Sequence, residues 1–489
     1  MAVLYPCSTV PYIGVGISPS QCSGFHVHSV VVIILILTLH ERNNACTNFF
    51  NLIQINMKTL LTKTLVTIFA LLFVTAGAYA QQDRELQYFV SPDKTGLNQF
   101  EAPFMTDIEF DGLNVRIGGA NTLQFQGISH ENDADDLPEL ENNFNLATSN
   151  LDFDVALANG LRMHLRTYLS SQHHPEAWVK GGYIQIDRLD FIAEDFAAGL
   201  MDNLRFKVGH MQLNYGDTHF RRTDNGAAIH NPFVGNYIMD SFTTEVGGEV
   251  YYYSGPVFGM LGLSNGKLNQ STAPGDFKTH ATIYGKLGYD KQINEDLRFR
   301  LTGSVLRVSQ STSIYLYSGD RAGSRYYNVI TPGNFRSGRY APSFTPGRGA
   351  PAGVGEMTAF MINPFVKFNG LEFFGVFESV SGNQTASVDP GFTEPESRSF
   401  TQLAGELLYR FGASEDIYLG ARYNLVDGEQ SNGDIEITRF NIGGGWFLTD
   451  NVLAKLEYVT QSYDGEGFDG SPFAGAEFNG INLEAVISF

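Results

Sequence analysis

The strongest constraint on the fold is a two-residue alternation of apolar and polar side chains that recurs along most of the chain. It continues to the last residue, because the segment 480–489 places Ile481, Leu483, Ala485, Ile487 and Phe489 on one side of the alternation. Successive side chains of a β-strand point to opposite faces, so this period predicts a strand with one apolar face. A chain end usually frays, and the regular end therefore indicates a terminal strand with a structural role.

Sixteen such segments can be marked, most of them ten residues long or more, and they are separated by turns rich in Gly, Asn and Asp. The predicted strands are 113–127, 145–158, 161–171, 180–191, 203–215, 243–254, 257–265, 279–290, 296–310, 357–369, 370–381, 398–411, 416–427, 434–448, 451–462 and 478–489.

The lengths of the connections alternate as well. Tight turns such as Asn159-Gly160, Asn369-Gly370 and Thr449-Asp450 follow even-numbered strands, whereas long connections such as 216–242 and 311–356 follow odd-numbered ones. Two connections depart from the pattern, since 192–202 is long and 428–433 is short. Short turns at one end and long loops at the other are typical of outer-membrane β-barrels.

These features resemble bacterial outer-membrane barrels, which often close on a terminal strand ending in Phe. The predicted fold is all-β, a closed antiparallel transmembrane β-barrel of about 16 strands with short periplasmic turns and long outer loops. Phe489 is the predicted barrel-closure residue, facing lipid while Glu484 faces the pore. A soluble antiparallel sandwich could show similar alternation, and the sequence does not tell inward from outward faces.

The amino-terminal part of the sequence contains features that predict export across the inner membrane. A basic stretch from Met57, an apolar run over 64–75 and the small residues Ala78 and Ala80 form a signal peptide at 57–80. We expect cleavage after Ala80, a periplasmic amino-terminal segment at 81–112 and a porin domain at 113–489. Residues 1–56 hold all three cysteines and are interpreted as a mis-annotated upstream extension.

Charge and composition limit the partners. The formal net charge of −20 disfavours nucleic acid, and the sequence predicts no cofactor and no metal site. The expected partners are outer-membrane lipid and lipopolysaccharide, the outer-membrane assembly machinery, and small hydrophilic solutes or anions. About sixteen strands leave room for an aqueous channel, and the 32 or so residues before the first strand are too few for a plug domain.

Charged residues of the predicted pore fall into three groups. Loop 216–242 is expected to fold inward and narrow the pore at Arg221, Arg222 and Asp224, unless it is a surface loop that contacts lipopolysaccharide. The expected basic wall of the lumen contains Arg116, Arg162, Arg166, Arg205 and Lys207. The expected acidic wall contains Glu245, Glu249, Glu372, Glu406, Glu436, Glu457 and Glu484.

A second long loop, 311–356, is basic in an otherwise acidic chain. Its arginines are Arg321, Arg325, Arg336, Arg339 and Arg348. A local concentration of positive charge attracts anions; the alternative is a solvated outer loop.

Two segments resemble the phosphate-selective porin family: Phe206–Asp217 with the following Arg221-Arg222, and Gly247–Gly255 with its hairpin into 257–266. The segment Phe110–Gly119 resembles the first strands of related porins. The acidic, Gly- and Asn-rich character is similar to barrels of the Bacteroidetes. The resemblance implies sixteen strands, homotrimers, inward-folded third and fifth loops, and permeation of small anions. The general acidity and the lack of a Lys/Arg ladder depart from that family.

The resulting hypothesis is a porin, not an enzyme, in the outer membrane of a Gram-negative bacterium. The alternatives are a channel specific for one solute such as an oligosaccharide, a barrel enzyme such as a lipase, and an adhesion or binding barrel. Ser264 lies in a G-x-S-x-G match, but that motif requires a strand-to-helix elbow, whereas here it ends a predicted strand.

Overall fold

The computed structural model describes residues 85–489, except 171–176, 224–226, 267–276, 319–326, 332–337 and 346–352. The signal peptide, the upstream extension and the expected cleavage after Ala80 therefore lie outside the described residues. Among the described residues, no helix is long and apolar enough to cross a bilayer.

The described chain forms sixteen strands joined in one closed antiparallel barrel in which sequence neighbours pair and β1 pairs with β16. The strands are β1 Asn114–Glu131, β2 Asn143–Ala158, β3 Leu161–Ser170, β4 Trp178–Ile186, β5 Leu204–Gln212, β6 Thr244–Ser254, β7 Val257–Ser264, β8 Thr282–Gln292, β9 Leu297–Ser311, β10 Gly353–Phe368, β11 Leu371–Ser387, β12 Arg398–Phe411, β13 Ile417–Gln430, β14 Gly433–Thr449, β15 Val452–Asp464 and β16 Glu477–Ser488. The predicted fold class and strand number are confirmed.

The terminal strand completes the ring. Gln124 of β1 lies opposite Glu484 of β16, and the backbones of Gly119 and Phe489 exchange two hydrogen bonds of 2.9 and 3.0 Å. Leu483 and Phe489 are 47% and 48% exposed on the outer surface, whereas Glu484 is 2% exposed inside.

The outer surface is apolar. Exposed Leu, Ile and Val side chains follow the outward positions of nearly every strand, and aromatic residues collect near the short-turn rim: Tyr252, Phe368, Tyr409, Phe411, Trp446 and Phe489. An apolar band bordered by aromatic rings is the surface of a barrel that spans a bilayer, because a soluble protein rarely exposes so large an apolar area.

The two ends of the barrel differ. At the short-turn end the connections include 159–160, 255–256, 369–370 and 450–451, while the long-loop end carries 213–243 (loop 3) and 312–352 (loop 5). The connection 187–203 is long for its end and contains a four-residue helix, α1 Ala198–Met201. The connection between β13 and β14, by contrast, has only two residues.

The described parts of loops 3 and 5 fold into the interior of the barrel and narrow the space inside it. Apolar residues of loops 3 and 5 pack against inward residues of β10–β15 in one buried cluster, which includes Tyr237, Ile238, Met239, Val329, Phe365 and Phe374. Sixteen strands enclose enough volume for a channel, but the inward-folded loops occupy much of it.

Candidate functional site: the barrel lumen

Loop 3 leaves the sheet after Gln212 and enters the lumen. Its first anchor is Asp217, whose carboxylate accepts bonds of 2.8 and 3.0 Å from Arg300 and lies 3.0 Å from Lys286 Nζ. Burial alone would raise the pKa of Asp217, but Arg300 and Lys286 lower it below its ordinary value. The carboxylate is therefore charged and holds the start of the loop on β8 and β9.

Arg221 and Arg222, at and directly after the end of the 3-10 helix Thr218–Arg221, are buried inside the barrel. Arg221 Nη2 lies 2.6 Å from Glu372 and 3.2 Å from Glu406, and Arg222 forms a two-point pair with Asp240. Burial would lower the pKa of Arg221, but the two glutamates raise it. Both arginines thus fasten the loop, and Asp224 lies outside the described residues.

The glutamates of the predicted acidic wall serve mainly as anchors for the loops. Tyr237 of loop 3 donates to Glu406 at 2.5 Å, and Tyr327 of loop 5 donates to Glu457 at 2.6 Å. Of the others, Glu249 accepts from the backbone of Asn214, Glu245 from Ser264, and Glu484 from Lys455. These carboxylates are buried and bonded, and they do not line a wide water-filled passage.

Sequence reasoning missed one member of this set. Glu378 of β11 is fully buried and accepts hydrogen bonds from Tyr215 at 3.2 Å and Tyr317 at 2.6 Å. Its carboxylate joins loops 3 and 5 to one strand. The alternation in β11 does place Glu378 on the inner face, but its tyrosine partners are remote in sequence and could not be predicted from that pattern.

The prediction for Glu436 was wrong. Glu436 is exposed, while Ile435 and Ile437 on either side point inward and are 3% and 0% exposed. Both isoleucines belong to the buried cluster that also contains Phe468 of the connection between β15 and β16. Near the long-loop end of β14, apolar side chains therefore point inward and the polar side chain points outward, the opposite of the arrangement expected for a water-filled pore.

The segment before β1, residues 85–113, which we call the strap, crosses the short-turn mouth. Gln87 donates to Asn159 in the β2–β3 turn, Lys94 N donates to Asp450 O at 2.9 Å, and Arg205 of β5 donates to the Ala102 and Pro103 carbonyls at 2.7 Å. The contacts thus run from one side of the mouth to the other.

The strap also binds loop 3. The side chain of Asn98 accepts from Arg221 at 2.5 Å and donates to Glu372 at 2.7 Å, and His230 Nε2 donates to the Asp93 carbonyl at 3.1 Å. The strap closes part of the mouth by lying across it.

Among the described residues, the lumen contains an open cavity of about 270 Å³ beside β1–β6. Its basic lining residues are Arg116, Arg162, Arg166, Lys180, Arg205 and Lys207, and its carboxylates are Glu101, Asp152 and Asp154. All five residues of the predicted basic wall therefore line one cavity. The strap covers its short-turn end through residues that include Phe89 and Phe100.

Of the predicted basic outer loop, Arg339 alone is described. It donates to the carbonyls of Tyr317 and Ser318 at 2.6 and 2.7 Å, and so it braces loop 5 from within. Arg321, Arg325, Arg336 and Arg348 lie outside the described residues.

Ser264 lies on the inner face of β7 and donates to Glu245. Its hydrogen-bond partners in the described chain include no histidine, so the described residues give Ser264 no imidazole base of the kind a serine nucleophile requires. Nor do the described residues contain a group of three or more His, Cys, Asp or Glu side chains arranged for a metal.

Scans against protein-family models and curated proteins found no match. Among solved structures, an anion-selective porin from Comamonas acidovorans has a TM-score of 0.47 at 10% identity, over 77% of this chain and 100% of that one. OmpT of Vibrio cholerae has a TM-score of 0.45 at 11% identity, over 78% and 99%. The channel DcaP of Acinetobacter baumannii has a TM-score of 0.43 at 11% identity, over 79% and 100%.

Proposed function

We propose that the protein is an outer-membrane porin through which small hydrophilic solutes diffuse, with a preference for anions. The observation that carries the proposal is the asymmetry of the lumen: loops 3 and 5 cover the acidic wall, and the remaining cavity follows the basic wall. Six Lys or Arg side chains line that cavity against three carboxylates. A cleft of one sign with low-dielectric walls concentrates ions of the opposite sign.

Two features support the membrane part of the proposal. The outward face carries an apolar band, and closure of the sheet pairs the backbone groups that hydrocarbon would leave unsatisfied. The difference between the two ends supports an orientation with the short turns in the periplasm and the long loops at the cell exterior.

Homotrimer formation belongs to the same proposal. Polar side chains occur on the outward face of β1–β5, where Ser149 of β2 donates to Asn121 of β1 at 2.8 Å, and Thr167 of β3 and His210 of β5 also face outward. Polar groups facing lipid are costly, so a second copy of the chain is the favoured cover for this face. Native mass spectrometry of the detergent-extracted protein tests this assembly.

Planar-bilayer recording of the refolded protein tests the channel. We expect discrete current steps and, across a salt gradient, a reversal potential on the anion side. The pair of substitutions R221E and R222E should move the reversal potential toward cations, because it reverses two charges inside the barrel. The absence of current from correctly folded barrels would reject the porin function, and a cation-side potential in the unaltered protein would reject the anion preference alone.

A further inference from the structure

The covered end of the cavity combines two cations with an aromatic ring supplied by the strap. The guanidinium carbons of Arg116 and Arg162 lie 5.0 and 5.6 Å from the centre of the Phe89 ring. All three residues line the cavity. The ring therefore gives the covered end a flat apolar surface directly beside positive charge.

The local charge is close to one positive unit. Asp154 lies 3.5 Å from Arg116 and 3.3 Å from Arg162, so one carboxylate faces two guanidinium groups, and it also lies 2.8 Å from His164 Nδ1. The neighbouring Arg166 and Asp152 form a two-point pair, at 2.8 and 2.6 Å, that balances itself. A monoanion would neutralise this end, whereas a dianion would leave excess negative charge beside Asp154.

Hydrogen-bonding capacity remains as well. Arg162 Nε is buried and has no hydrogen-bond partner among the described residues, although Nη1 and Nη2 of the same side chain are bonded to Asp154 and Gln185. Arg116 makes a long 3.5 Å contact with Asp154 and is 16% exposed. A buried donor without a partner is costly, and a carboxylate oxygen is a suitable acceptor.

We propose that this end of the cavity, beside Phe89 and the Arg116–Arg162 pair, is a binding site for monocarboxylates that carry a planar apolar group. The carboxylate accepts from Arg116 and Arg162 Nε, and the planar group packs on the Phe89 ring. The proposal deepens the anion preference proposed above and rests on the same cavity. It adds a class of ligand and assigns part of the site to the strap.

Isothermal titration of the purified, folded protein with four probes tests the site: benzoate, acetate, sulfate and benzyl alcohol. Benzoate should bind tightest. Acetate, which lacks the ring, should bind about three- to tenfold more weakly, and benzyl alcohol, which lacks the charge, about tenfold or more weakly. Sulfate, a dianion without a ring, should bind more weakly than benzoate.

Two variants and a control locate the binding. R116Q should weaken benzoate and acetate together, whereas F89A should weaken benzoate and leave acetate unchanged. R398Q is the matched control, because Arg398 also lies over a phenyl ring, that of Phe344 at 5.8 Å, but does not line the cavity. Heat-modifiable migration on gels verifies that each barrel is folded, and F89A alters the strap without altering a strand.

Equal affinities for benzoate and acetate, or tighter binding of sulfate, would overturn the assigned ligand class. Unchanged benzoate affinity in both R116Q and F89A would overturn the location. Because titration requires no current, benzoate binding to a protein without channel activity would reject the porin function and leave this site standing. Channel activity without benzoate binding would reject this site and leave the porin function standing.

Discussion

Replacing Arg221 with methionine should loosen loop 3 inside the barrel. Arg221 is 3% exposed and reaches three partners, Glu372 at 2.6 Å, Glu406 at 3.2 Å and Asn98 at 2.5 Å. Methionine keeps much of the side-chain volume but leaves two buried carboxylates with less positive charge. The substitution therefore tests whether this ion pair holds the loop in the lumen.

The size of the effect follows from what each carboxylate retains. Glu372 keeps Arg410 at 3.1 Å, and Glu406 keeps Arg422 at 2.6 Å. Breaking a buried pair costs roughly 3–5 kcal/mol when it leaves a charge uncompensated, and the remaining arginines place the cost here near the lower limit. A loss of about 3 kcal/mol raises the population of a displaced loop about 100-fold.

Hydrogen exchange of loop 3 amides and single-channel recording measure the result. We expect faster exchange in 213–223 and larger current fluctuations than in the unaltered protein. The control is R307M, since the Arg307–Glu356 pair is 44% and 31% exposed and pairs of this kind contribute less than about 1 kcal/mol. Exchange and current noise as low as in the control would refute the proposed role of the pair.

Three further predictions concern the strap and the terminal strand. Burial lowers the pKa of His230 to about 4, so a state in which loop 3 has separated from the strap binds more protons than the packed state. The packing of loop 3 on the strap should therefore weaken by up to about 3 kcal/mol as the pH falls from 6.5 to 4. Hydrogen exchange of loop 3 amides should detect this weakening, and the H230Q variant should lack the pH dependence. A disulfide in K94C/D450C should hold the strap across the mouth and lower the current, which reductant should restore; equal currents would mean that the strap need not move. Deletion of Phe489 should reduce membrane assembly more than selectivity, as measured by the folded fraction in outer-membrane extracts and by the reversal potential.

The strands could be predicted because their period is a local property. Their ends were harder to predict at β4 and β5, which were expected to run to 191 and 215 but stop at Ile186 and Gln212. Asp187 directly follows β4 and turns inward to pair with Arg205 at 2.5 Å, and the chain after Gln212 turns into the lumen. Alternating side chains continue past both points, so periodicity alone overestimates the two strands.

The environment of the inner face could not be predicted in the same way. Alternation separates two faces, but only the folded loops decide whether an inward glutamate faces water or a tyrosine. Glu406 and Glu457 were read as pore-lining, and the structure gives each a tyrosine from a different loop. Those contacts join residues 169 and 130 positions apart, and no local pattern encodes them.

The charge of the open cavity follows from this arrangement and not from a ladder of basic residues. In a chain with a net charge of −20, an evenly open lumen would favour cations. Here Arg221 of loop 3 and Tyr327 of loop 5 cover carboxylates of the acidic wall, and the cavity that remains borders Arg116, Arg166 and Lys207. In the proposed porin, selectivity depends on which wall the loops cover, so displacing loop 3 should shift the preference toward cations even where no pore-lining charge has been changed.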